Sequence, residues 1–362
     1  MNTFGNIFRL TTAGESHGPA MTGIIDGMPS GIKIDLARIN LALSRRRPGG
    51  ECTLNSTRGE PDNIVVLSGL LDGVTTGTPI AFTIANIDAR SEDYEHMRHI
   101  YRPSHADFTY QAKYGIRDWR GGGRSSARET VLRVAAGAFA AEVLEHYGVK
   151  VYAYASQIGS VKIDVPADTL DLEAVFEHPT RCPHLPTAER MISLVERVRD
   201  AGDTIGGIVN GVILGLPVGV GEPVYSKFHA MLASAMMSIN AAKGFDYGMG
   251  FEGVCRLGSE MNDAFTLTPE GEISTLTNHS GGVQGGITNG SPVVFRVAFK
   301  PVATLMREIP AINDEGESVT LIPRGRHDSC VVPRAVSVVQ AMAQITALDA
   351  LLMAHKMPKD KI

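Results

Sequence analysis

This chain lacks the marks of a secreted, disulfide-stapled or membrane-anchored protein. Among its 362 residues are only four cysteines, Cys52, Cys182, Cys255 and Cys330, with no CxxC spacing. That excludes a disulfide scaffold and points to a reducing compartment. A basic surplus is also missing: the net charge of −5 argues against a general nucleic-acid or membrane-surface binder, so no partner of either kind is expected. The opening residues, MNTFGNIFRLTTAGESHG, have no charged stretch leading into an apolar one, and a cytoplasmic location is the expectation. The most apolar run, Pro333 to Met353, has the length of a bilayer span but is interrupted by Gln340, Gln344 and Asp349. It reads as a buried core helix. No repeat, low-complexity tract or strong linker divides the chain. One domain over 1–362 is expected, with the Asp-, Pro- and His-rich stretch 165–185 as an insertion.

What is present is enough apolar sequence, 43%, for a large core. Short apolar or alternating runs at 7–11, 21–25, 64–67, 80–84, 149–154, 208–214 and 293–299 predict strands. Helical patterns fall at 36–45, 106–113, 126–147, 186–201, 225–239 and 333–353. Asp35, Ser126 and Thr187 suit N-caps, and Gly148 and Gly202 suit the position just past a helix end. Several strands follow one another across glycine turns, which favours α+β with antiparallel sheet over a doubly wound parallel sheet.

The 39 glycines are unevenly placed, and the densest cluster is RGGGRSSARET at 120–130. From Arg102 to Arg133 there are seven Lys or Arg against three Asp or Glu, a local surplus of +4 in an acidic protein. Glycines that let backbone turn, serines that cap and a following helix N-terminus together make an anion site. With a helix beginning near Ser125, Arg124 and Arg128 would face one ligand. A solvated basic face beside a glycine hinge is the plainer account. The stretch is neither a Walker A loop nor a dinucleotide fingerprint.

Other clusters repeat the theme. Arg45, Arg46 and Arg47 close a predicted helix, where they also complement its dipole. GESHG at 14–18 places Ser16 beside His17, which rules out a nucleophile elbow and leaves either a turn histidine or a proton donor to a leaving group. RPSHAD at 102–107 contributes Arg102 and His105, and RGRHDS at 324–329 contributes Arg324, Arg326, His327 and Asp328. NHSGGVQGGITNG at 278–290 is a hairpin loop or a surface for close backbone approach to a ligand. No metal is expected, since no histidine pair has HxxxH or HxH spacing and Cys182-Pro-His184 stands alone. The residues by themselves describe an enzyme for a small, multiply anionic substrate, with arginines binding it and histidines and an aspartate moving protons.

Taken in order, GESHG with DGMPSG, RRRPG, RPSHADFTYQAKYGIRDWRGGGRSSARET, SINAAKG, TNHSGGVQGGITNG and GRHDSC resemble the chorismate synthase family over nearly the whole chain. The resemblance implies a lyase that forms chorismate from 5-enolpyruvylshikimate 3-phosphate by 1,4-anti elimination of phosphate, a step of the shikimate pathway in aromatic amino acid biosynthesis. It implies reduced FMN as cofactor, a β-α-β sandwich core with antiparallel sheets, and a homotetramer. The chain holds no NADPH fingerprint, so any link to NADP runs through an external flavin reductant.

Carried over by motif, His17, His105 and Asp328 would be catalytic: His17 near the substrate phosphate, His105 near the flavin, and Asp328 assisting proton removal. Arg46, Arg102, Arg128 and Ser16 would bind substrate. Arg124, Ser125, Ser126, Asn240, Ala241, Gly285, Lys300, Pro301, Val302, Ala303, Thr304 and Arg326 would contact FMN or its edge. Two departures from the family pattern stand out: Cys52 and Thr53 where a further arginine is usual, with Arg58 following, and Val302-Ala303 where Thr-Ser is usual. Losing one charged contact weakens binding by about 1.5–3 kcal/mol. A non-catalytic flavin binder and a flavin-independent phosphatase are the rival readings.

Overall fold

The computed structural model describes residues 1–47, 61–88, 91–322 and 328–354. Two five-stranded antiparallel sheets carry the fold. The first is built from β1 (Thr3–Phe4), β2 (Arg9–Ala13), β3 (Ala20–Asp26), β4 (Ile64–Val66) and β5 (Ile80–Ala85), in spatial order β1-β2-β3-β5-β4. The second comprises β6 (Lys150–Ile158), β7 (Val161–Lys162), β8 (Gly207–Leu214), β9 (Ala242–Tyr247) and β10 (Val293–Phe299), in order β7-β6-β8-β10-β9. Alternation drives both. Ile80, Phe82 and Ile84 of β5 point inward, as do Val293, Phe295, Val297 and Phe299 of β10.

Six helices of eight residues or more complete the described chain: α1 (Leu36–Arg46), α2 (Asp107–Tyr114), α3 (Thr130–His146), α4 (Leu185–Asp200), α5 (Phe228–Met237) and α6 (Val332–Met353). α3 packs on β2 and β3 of the first sheet, α6 on β6 and β8 of the second, and α3 and α6 pack on each other. One contiguous core therefore runs from Phe8 to Leu351. The α3–α6 crossing is close. A Cβ added at Gly137 would lie 2.5 Å from Cα of Ala341.

The helix long enough for a membrane span is 78% buried within its most apolar window, as a core helix should be. Two of its polar interruptions, Gln340 and Asp349, are paired. Gln340 donates from Nε2 to the Val151 carbonyl at 2.8 Å. The Asp349 carboxylate accepts the backbone N–H groups of Asn6, Ile7 and Phe8 at 2.7–3.0 Å, so it is buried without being unsatisfied.

Local expectations fare unevenly. Asp35 caps α1 by accepting from Ala37 N at 2.8 Å, and Gly148 and Gly202 take left-handed φ just beyond α3 and α4. Thr187 is not a cap: α4 starts at Leu185 behind His184, and the Thr187 hydroxyl bonds the His184 ring. α3 begins at Thr130 and not at 126, because two 3-10 turns, Gly123–Ser125 and Ala127–Glu129, precede it. Ser126 between them is extended, at φ −69° and ψ 145°, and the shared helical face expected of Arg124 and Arg128 does not form. Residues 165–185 include two short 3-10 turns, Ala167–Thr169 and Glu173–Phe176, and Val175 in the second and Cys182 beyond it are buried in the main core.

Candidate functional site

A cavity of about 440 Å³ opens where the serine turn after the glycine loop, the segment 239–241 leading into β9, the residues following β10 and the start of α6 converge. Of the residues singled out from the sequence, Arg46, His105, Ser125, Ser126, Asn240, Ala241, Lys300, Val302, Ala303 and Asp328 line it. They come from segments up to 282 residues apart in the chain, Arg46 to Asp328. The fold assembles them.

The glycine loop separates two histidines. Gly121, Gly122 and Gly123 all have positive φ, at 67°, 92° and 53°. A Cβ on Gly121 would lie 2.3 Å from Cε1 of His17, and one on Gly122 would lie 2.8 Å from Cε1 of His105. Neither position tolerates a side chain without displacing a ring. The loop is thus a thin stretch of backbone packed against both rings, of which His105 lines the cavity and His17 does not. His17 sits edge-on to Tyr94 and 3.2 Å from the hydroxyl of the buried Ser16.

The arginines divide into those that face the cavity and those held elsewhere. Arg46 is 2% exposed and pairs with Asp62 at 2.7 Å, while Arg128 grips the same Asp62 and donates to Asn86 Oδ1 at 2.8 Å and to the Ala85 carbonyl. Burial pulls the Arg46 guanidinium down to about 10, a direction to which Arg334 and Arg128 add and which Asp62 opposes. Burial alone would raise the Asp62 carboxyl, yet the two arginines outweigh it and hold it below the usual range. Arg102 lies against Asp107 through Nε at 2.7 Å and Nη2 at 2.8 Å. Arg124 reaches Gly14 O, Thr12 and Asn2, bracing the glycine loop to β2. Arg102, Arg124 and Arg128 do not line the cavity.

Other expected residues lie apart. Gly285 is in the hairpin Val283–Thr288, next to the Gly286 that packs on Lys227 and Glu222, and it does not line the cavity. Nor do Ser16, His17, Pro301 and Thr304. Arg326 is outside the described residues, as are Cys52, Thr53, Arg58, Arg324 and His327.

Three residues of the site escaped sequence reasoning. Asp62 and Asp107 balance the arginines, and Arg334 lines the cavity beside Asp328, with which it forms an ion pair. A lone arginine in the first turn of an otherwise apolar helix was the available signal for Arg334.

Among the described residues the cavity lining is electrically mixed but basic in sum: Arg46, Arg334 and Lys300 accompany one carboxylate, Asp328. Lys300 donates to the Ser104 carbonyl at 2.8 Å, and burial, then Lys243, lowers its ammonium. Two lining residues hold buried polar atoms with no hydrogen-bond partner, Nε of Arg46 and Oδ1 of Asn240. Ala241 holds a left-handed φ of 66°, unusual outside glycine, where its carbonyl accepts from Lys300 N. Such features suit a bound polar ligand that supplies the missing partners. Among the described residues no cluster of His, Cys, Asp or Glu could hold a metal ion.

Comparison with known proteins follows the same lines. The family model described as chorismate synthase matches residues 8–352. The chorismate synthase of Parabacteroides distasonis is 53% identical over 352 residues, covering 97% of this chain and 98% of that protein. That of Phocaeicola vulgatus is 52% identical over 351 residues, with coverage of 97% and 98%. That of Synechocystis sp. is 50% identical over 352 residues, 97% of each. A crystal structure of chorismate synthase, 30% identical, superposes with a TM-score of 0.77 over 96% of this chain and 92% of the other.

Proposed function

Because the chain belongs to the chorismate synthase family, an enzyme family of lyases, we propose that its cavity turns 5-enolpyruvylshikimate 3-phosphate into chorismate and phosphate by a 1,4-anti elimination. In that reaction a proton leaves C6, the C3–O bond to phosphate breaks, and no net oxidation occurs. The observation that carries the proposal is the basic cavity in which His105 and Asp328 meet Arg46, Arg334 and Lys300.

Reduced FMN is the cofactor the family implies, and the residues fit it. A volume of about 440 Å³ is within the ordinary range for small-ligand sites. The carboxamide oxygen of Asn240 has no donor, and the wall of Ser125, Ser126, Asn240, Ala241, Val302 and Ala303 mixes polar and apolar contacts. These residues and Lys300 would hold the flavin. When bound, it lends electron density to the breaking C–O bond, which no side chain can do.

The chain's own groups do the rest. Arg46 and Arg334 are fixed cations that meet substrate carboxylate or phosphate, and charge developing on the leaving phosphate is stabilised best in a site that excludes water. Asp328 takes part in removing the C6 proton, His105 serves the flavin side, and His17, against the glycine loop, serves the phosphate side. Arg102, Arg124 and Arg128 act one step removed, since none of them lines the cavity. Family membership also supports reading the two sheets and their central helices as a single β-α-β sandwich domain, repeated in a cytoplasmic homotetramer fed by an external flavin reductant.

The test is an anaerobic assay with 5-enolpyruvylshikimate 3-phosphate, reading chorismate absorbance and free phosphate with and without reduced FMN. Chorismate that appears only with reduced flavin is the expected result. Phosphate without chorismate makes the protein a phosphatase, and flavin binding without product makes it a non-catalytic relative.

A further inference from the structure

Asp107 opens α2, is 3% exposed and does not itself line the cavity. Its carboxylate is fully engaged. Oδ2 accepts the Arg102 backbone N–H at 3.1 Å and Nε at 2.7 Å, while Oδ1 accepts Arg102 Nη2 at 2.8 Å and meets His105 Nδ1 at 2.9 Å. Arg117 adds a second guanidinium, 3.7 Å away. Burial would raise this carboxyl, but the hydrogen bonds from Arg102 and His105 overcome it and hold the group far below the usual carboxylate range. An ionised carboxylate has no proton to give. At the contact with Asp107, therefore, the imidazole is the donor.

That bond determines the rest of the ring. In neutral His105 a proton on Nδ1 leaves Nε2 as the acceptor, and the Cε1–Nε2 edge lies against Gly122, where a Cβ would be 2.8 Å from Cε1 and 3.3 Å from Nε2. No partner to Nε2 is present among the described residues. We propose that Asp107 is a positioning residue: it holds His105 in the Nδ1–H tautomer, so that Nε2 is the nitrogen free to accept a proton or hydrogen bond at the cavity. Arg102 and Arg117 keep Asp107 ionised and in place, which explains why Arg102 sits beside the site without lining it. A backbone-only role for Asp107 would need the Arg102 contacts but not the bond to His105. The inference rests on His105 acting in the reaction proposed above.

The experiment uses the full-length protein labelled with 15N-histidine, with the His105 signals identified by their loss in His105→Gln. In the wild type, Nδ1 should be the protonated nitrogen of neutral His105. Asp107→Asn, whose amide can present either a donor or an acceptor to the ring, should give a mixture of tautomers and lower kcat on the order of 10²-fold, with KM close to wild type. A wild-type ring carrying its proton on Nε2 overturns the proposal, and so does an Asp107→Asn enzyme with unchanged kcat. If Asp107→Asn does not fold, the wild-type tautomer decides alone. Wild-type turnover in His105→Gln would sink the catalytic reading of His105 and leave the tautomer result standing, so the two failures are distinguishable.

Discussion

Replacing Gly121 by alanine isolates what the glycine loop does for the reaction. Two effects follow from the structure. First, a non-glycine residue at φ +67° carries a backbone penalty of about 1–2 kcal/mol. Second, the new Cβ would be 2.3 Å from Cε1 of His17 and 3.1 Å from Oγ of Ser16, so the His17 ring must move. Gly115→Ala separates the two, because Gly115 has φ +74° and nothing within 4 Å of its added Cβ. For a chain of 362 residues the unfolding entropy is roughly 0.8 kcal/mol per degree, so the backbone term corresponds to a Tm loss of roughly 1–3 °C in both variants. Only Gly121→Ala should also lose turnover, by at least about 10²-fold, the usual scale for misplacing a proton-transfer group. Calorimetry and the anaerobic chorismate assay read the two effects. Gly121→Ala with wild-type kcat and the same Tm loss as Gly115→Ala would refute the claim that the loop positions His17.

Four further outcomes test the packing and electrostatics. Asp62→Ala leaves Arg46 and Arg128 buried without their counter-charge, and urea unfolding should show a loss of about 3–5 kcal/mol. Since the Asp62 carboxyl is lowered in the folded protein, its stabilisation is complete above its unfolded value near 4 and declines as pH falls toward the lower folded value. The wild type should therefore lose stability more steeply than Asp62→Ala on acidification below about pH 4. Gly137→Val forces a larger side chain into the α3–α6 crossing against Ala341, and the expected cost is at least about 1–3 kcal/mol by denaturant titration. Cys330, with its thiol pushed up to about 12 by burial, should resist a thiol reagent until the protein unfolds, whereas exposed Cys255 should react in the native state.

The α+β class with antiparallel sheets was legible because β5, β8 and β10 alternate cleanly between buried and less buried positions and because glycines mark the ends of α3 and α4. β9 was not, since Ala-Lys-Gly-Phe-Asp-Tyr has no alternation and owes its strand geometry to pairing with β10. The small sheet of Ile100–Tyr101, Ile309–Asn313 and Ser318–Leu321 left no clear signal because its strands are only two to five residues long. In the site, the motifs named residues that the fold does bring together, among them His105, Asn240, Lys300 and Asp328. Sequence spacing failed where partners are distant. Arg124 and Arg128 looked like a pair on one helix, but Arg124 turns to Thr12, 112 positions away, and Arg128 to Asp62, 66 away. Charge balance inside a core is a property of the folded chain, which is why Asp62 and Asp107 drew no notice beforehand.

The clamp between Asp349 and the backbone of Asn6, Ile7 and Phe8 joins positions 341 to 343 residues apart. On a ribosome adding about 5–20 residues per second, the segment that enters β2 waits roughly 20–70 s for its last partner to be made. For most of that interval, once Ala85 has been added, the first sheet has its strands but neither the closing helix α6 nor the carboxylate that seals its entrance. Translation order and assembly order are thus opposed at this seam. The earliest residues synthesised are among the last secured, and the apolar faces of β2 and β3 have α3 as their cover until the final helix arrives.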